Sequence, residues 1–136
     1  MKQTLLQEKL PIYCLEIDHR ETDFGSVDEI AGYFKQCIEA HRCACFIAEF
    51  DHYAHTRSLP EGRIEKGIRA AKNIIFCFGI ALPDPHALAI RPRSIGVAET
   101  TDGFLLTFME APMPVANTAM EDWVNGLLRK PAGKAA

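Results

Sequence analysis

The chain has 136 residues, 48% hydrophobic and 24% charged, the balance of one ordinary globular domain. Its 15 Lys and Arg against 18 Asp and Glu leave a net charge of −3. That speaks against nucleic acid as a partner, because neutralising phosphates needs a large positive surface. No apolar run approaches the roughly 20 residues of a membrane span, so no membrane partner is expected. Met1 to Glu8 lacks the apolar core of an export signal, and the expected location is cytoplasmic.

The first element is a strand. Ile12, Cys14 and Glu16 alternate with Tyr13, Leu15 and Ile17. Ser26-Val27-Asp28-Glu29 is a capping box, and apolar residues at helical spacing predict a helix over 27–41. Cys43 to Phe50 predicts a second strand, with Ala44, Phe46, Ala48 and Phe50 on a core face. Ser58 to Gly62 reads as loop and Ile64 to Lys72 as a short helix. Asn73 to Ile80 is almost continuously apolar, as a central strand would be.

Pro83-Asp84-Pro85 is a turn, and Leu88 to Ile90 starts a strand that Pro92 interrupts. Ser94–Thr101 and Phe104–Glu110 flank Asp102-Gly103, a hairpin signal of type I′. A two-residue loop would pair Glu99 with Leu106 and Val97 with Phe108. Thr118-Ala119-Met120-Glu121 is a second capping box, ahead of an amphipathic helix carrying Trp123, Val124 and Leu127. Residues 131–136 read as a frayed tail, leaving one domain over 1–130. The order predicts an α+β fold, a mostly antiparallel sheet with helices packed on one face. No glycine-rich strand-to-helix turn is present, so a nucleotide loop is not expected.

Three constellations carry chemistry. Asp51, His52, Tyr53 and His55 follow the second strand. Two histidines three apart plus a carboxylate suit a metal ion, and His52 or His55 suits acid–base work near neutral pH. The plainer reading is an exposed loop with Tyr53 packed as a lid. His41, Cys43 and Cys45 alternate, and Cys14 or Cys77 could complete a thiol or metal site. Parallel side chains about 7 Å apart cannot converge on one ion, which favours a helix-ending histidine followed by packed thiols. Arg91 and Arg93 lie beside an apolar face bearing Glu99 and Glu110. Arginine forks there could grip a small anionic ligand, with Glu99 as acid or base. The plainer reading is a marginal Arg93–Glu110 salt bridge.

The segments Phe50-Asp51-His52-Tyr53-Ala54-His55-Thr56, Asn73-Ile74-Ile75-Phe76-Cys77-Phe78-Gly79 and Arg91-Pro92-Arg93-Ser94-Ile95-Gly96-Val97-Ala98-Glu99 resemble those of a family of small uncharacterised bacterial proteins. The resemblance covers nearly the whole chain and implies a stand-alone bacterial domain, with no chemistry attached.

Three functions follow in rank. The first is a homodimeric interaction or ligand-binding module, because a one-sided sheet in a small domain leaves an apolar face or an open edge that twofold pairing covers. The second is an enzyme or binding protein for a small anionic ligand, using His52, His55, Arg91 and Arg93, with Tyr53 and Glu110 lining the site. The third is a thiol- or metal-dependent protein using Cys43, Cys45 or Cys77. No motif names a cofactor.

Overall fold

The computed structural model describes residues 1–6 and 10–130; the predicted tail over 131–136 lies outside the described residues. Strands β1 (Lys2–Leu6), β2 (Leu10–Asp18), β3 (Ala44–Asp51), β4 (Ile68–Phe78), β5 (Arg93–Thr100) and β6 (Gly103–Met109) form one sheet. Their order is β1-β2-β6-β5-β4-β3, and every neighbouring pair is antiparallel. Helices α1 (Val27–Ala40), α2 (His52–Ser58) and α3 (Pro114–Asn125) complete the fold. The fold class is α+β, as the element order predicts.

The alternation in β2 survives intact. Tyr13, Leu15 and Ile17 pair with Phe108, Leu106 and Phe104, and paired residues share a face. That face continues through Val97 and Ile95 of β5 into Ile74 and Phe76 of β4. It packs against Ile30, Phe34 and Ile38 of α1 and Met120, Trp123 and Val124 of α3, all within one buried core. Burying these side chains is the main favourable term, at about 1.5–3 kcal/mol for each large one.

Local chemistry sets the helix positions. The Ser26 side chain accepts from the Glu29 N–H at 3.1 Å, and Glu29 reaches back to the Gly25 N–H at 3.1 Å, one residue beyond the expected box. Lys72 on β4 pairs with Asp28 at 2.8 Å and Glu49 at 3.3 Å, which joins the start of α1 to β3 and β4. Tyr33 donates to the Trp123 carbonyl at 2.6 Å, tying α1 to α3. The Asn117 side chain caps both the N–H (2.7 Å) and the C=O (2.9 Å) of Ala111, fixing the β6–α3 link.

Several expectations are corrected. The helix expected over 64–72 is instead coil and turn over 64–67 followed by the start of β4, because Ile68, Ala70 and Ala71 find ladder partners in Thr100, Glu99 and Ala98, and helical spacing is a weak local bias. The strand expected at Leu88–Ile90 is a 3-10 helix, Pro85–Ile90, capped by Asp84. Helix α3 begins at Pro114, four residues before the expected Thr118 cap, because proline suits the first helical turn.

The β5–β6 turn is a two-residue loop, but it falls on Thr101-Asp102, one residue before the expected Asp102-Gly103, so each partner shifts by two: Glu99 pairs with Phe104 and Val97 with Leu106. The shift is even, so every side chain keeps its predicted face. Gly103 serves packing there, since a Cβ on it would run into the Ile17 carbonyl. In β3 the register shifts between Phe46 and Ala48. This bulge sends Ala48 and Phe50 to the face opposite Ala44 and Phe46, so the predicted four-residue core stripe is split.

Candidate functional site

Helices α1 and α3 cover one face of the sheet. The other face is built from the alternate residues: Leu105 and Thr107 on β6, Gly96 and Ala98 on β5, Asn73 and Ile75 on β4. Two contacts confirm the shared face. Asn73 Nδ2 donates to Ser94 Oγ at 3.0 Å, and a Cβ on Gly96 would lie 2.8 Å from Thr107 Oγ1. None of these side chains is charged. Among the described residues of β1 and β2, Lys2, Glu16 and Asp18 bring charge to that side of the face.

The open face continues into an apolar loop. After Phe78 the chain leaves β4, and Ile80 is 83% exposed, Leu82 66% and Leu88 64%. A shallow cavity of about 210 Å³ lies where the chain returns to β5, lined by Ala89, Ile90, Pro92, Arg93, Ser94 and Met109. Large apolar side chains clustered in water mark interaction surfaces more often than chance exposure does. Sequence reasoning missed this surface. Its signal was the run of small neutral residues at alternate positions of β5, followed across the ladder.

The histidine segment is a helix, not a loop. Asp51 is the N-cap of α2 and accepts from the Ala54 N–H at 2.8 Å, so its carboxylate is already engaged. His52 and His55 lie together, but around Phe50, with ring centroids 4.7 and 5.5 Å away. Both histidines are exposed, and Tyr53 is half-buried. Phe50 pairs with Asn73, which places this cluster on the open-face side of β3. Among the described residues, no three His, Cys, Asp or Glu side chains converge on a metal position.

The arginines serve backbone carbonyls. Arg91 donates to Ala81 O at 2.8 Å and lies against Gly79, whose φ of 141° leaves little room for a side chain. Arg93 donates to Met109 O at 2.6 Å and Ile90 O at 3.4 Å, and burial pushes its guanidinium below the ordinary value. The expected Arg93–Glu110 bridge is absent among the described residues. Glu110 instead borders a separate cleft with Tyr13 and Glu121, where burial and both carboxylates raise the Tyr13 phenol.

Glu99 sits at the far end of β5, about 20 Å along the strand from Arg93 at the usual rise, with His19 at 3.8 Å. Arg93 pairs with Phe76 on the helix side of the sheet, whereas the His52–His55 cluster surrounds Phe50 on the other side. The structure does not bring the histidines and arginines together.

The thiols also separate. The His41 ring lies against Phe78 and Trp123, and Cys43 packs beside the core. Cys45 is exposed and pairs with Cys77 on the open face. The His41-x-Cys43-x-Cys45 alternation is therefore broken by the chain entering β3.

The profile of a family of unknown function, DUF6858, matches residues 1–129. The chain belongs to DUF6858. Comparison with curated proteins and with solved structures gave no match. What this DUF6858 member offers is thus a helix-backed sheet whose other face is uncharged at its centre, and no helix among its described residues is long and apolar enough to cross a membrane.

Proposed function

We propose that this DUF6858 chain is an interaction module that pairs with a second copy of itself through the open sheet face, in a bacterial cytoplasm. The observation that carries the reading is the charge-free centre of that face together with the apolar loop beside it. In a twofold contact each residue meets the same surface on its partner. A charged centre would repel itself there, and this one carries no charge.

Area supports the same occupant. Six strands at about 4.8 Å spacing and about 20 Å length give a flat footprint of about 500 Å². A stable interface takes about 800 Å² of accessible surface from each partner. Side-chain relief and the exposed Ile80, Leu82, Leu88 and Ile90 make up the difference. Face-to-face packing of two sheets, about 10 Å apart, is also how β-sandwich cores form.

Sedimentation velocity over a wide concentration range tests this. The expected result is a species of twice the chain mass that dissociates on dilution. A single monomeric species at every concentration would refute the proposal.

A further inference from the structure

Cys45 of β3 and Cys77 of β4 are direct ladder partners, so their side chains leave the sheet on one face. The Gly79 N–H donates to Cys43 O at 2.8 Å. Hydrogen-bonded and non-hydrogen-bonded pairs alternate along an antiparallel ladder, which puts Cys45 and Cys77 at a hydrogen-bonded position with Cα atoms about 5.5 Å apart. Their Cβ atoms then sit near the wide end of the roughly 4.5–5.5 Å range for opposed residues.

That spacing separates two chemistries. A disulfide needs Cβ atoms about 3.8 Å apart, and closing the gap would pull on a sheet ladder. Two metal–thiolate bonds of about 2.3 Å set the sulfurs about 4.6 Å apart across a two-coordinate ion, a separation that side chains rising side by side from Cβ atoms at the ladder spacing can match. Among the described residues no third His, Cys, Asp or Glu side chain joins the pair, so a four-ligand zinc set is incomplete. Thiolates select soft cations, copper(I) foremost. Entry is open, since Cys45 is exposed on an edge strand.

We infer that Cys45 and Cys77 form a two-thiolate site for a soft monovalent cation of the copper(I) type. On binding, each thiol releases its proton, two metal–sulfur bonds form, and no electron is transferred. The site needs only the two thiols of one chain; it lies towards the β3 edge of the open face, where the proposed twofold contact would cover it, so the titration is run at concentrations where the chain is monomeric. The remaining cysteines offer no such pair: Cys14 faces Lys2 and Thr107 across its ladders, and Cys37 and Cys43 pack against the core.

The test is an anaerobic titration of the reduced full chain with copper(I) against a chromophoric copper(I) chelator. One ion per chain should be retained, with thiolate-to-metal absorption in the ultraviolet. Losing an outer-shell partner costs 10–100-fold in metal affinity, so C45S and C77S, which remove ligands, should each weaken retention by more than about 100-fold. C14S should bind as the parent does, and circular dichroism should confirm that all variants fold. Full surrender of copper to the chelator, or parental retention by both C45S and C77S, would overturn the site.

Discussion

Gly79 is the residue whose backbone demands most. Its φ of 141° lies where side chains rarely go, and a Cβ there would sit 3.1 Å from Arg91 Nη2. Gly79→Ala should cost about 1–3 kcal/mol, read by urea unfolding; an unchanged midpoint would contradict the assigned conformation. Asn117→Ala should cost a similar amount, about 1–3 kcal/mol, because it strands the N–H of buried Ala111. Two titrating groups share one sign. Burial raises the Tyr33 phenol, and Asp28, followed by Glu49, raises the Lys72 ammonium. A group raised by folding stabilises fully below its unfolded value and loses that contribution as pH climbs. Stability should therefore begin to fall at about pH 10, where both groups start to ionise in the unfolded chain, and keep falling as pH rises further, and Tyr33→Phe should flatten that fall in urea titrations at stepped pH. An equal slope in the variant would show that Tyr33 is not responsible.

Elements with local causes were legible in the sequence. Alternation exposed β2, and Ser26 with its helical apolar spacing exposed α1 almost to the residue. Elements decided by distant partners were not. The β1 residues Lys2, Gln3 and Thr4 are polar and become a strand only beside Cys14, Tyr13 and Ile12. Residues 68–72 carry helical spacing, and β5 overrides it. The bulge after Phe46 is a sheet-level event, yet it decides which side of the molecule holds Phe50 and, with it, His52 and His55. The histidines were legible as residues while their surroundings were not. Helix α2 is only seven residues long, too short to stand alone, so its cap matters. Asp51→Ala should remove about 1 kcal/mol of local stability. Faster amide exchange at Ala54 and altered His52 and His55 ring shifts would report this, and unchanged exchange would show that Phe50 alone holds the helix.

At the scale of the molecule, two faces of one sheet have different fates. One is sealed by α1 and α3; the other presents an uncharged floor and an apolar loop to water. The individual strands announced their inward residues through size, whereas the outward residues of β5 are small and neutral and become a surface only when three strands are read together. In the proposed dimer a second copy of the chain covers this surface. Thr107 lies near its middle, opposite Gly96 and Cys14, and a Thr107→Glu change would set two carboxylates against a twofold partner while leaving the core untouched. Sedimentation velocity of the parent and T107E chains, side by side at one concentration, separates a dimer formed through this face from a monomer. The expected result is a dimeric parent and a monomeric variant with unchanged circular dichroism. A monomeric parent, or a variant that still dimerises, would contradict it.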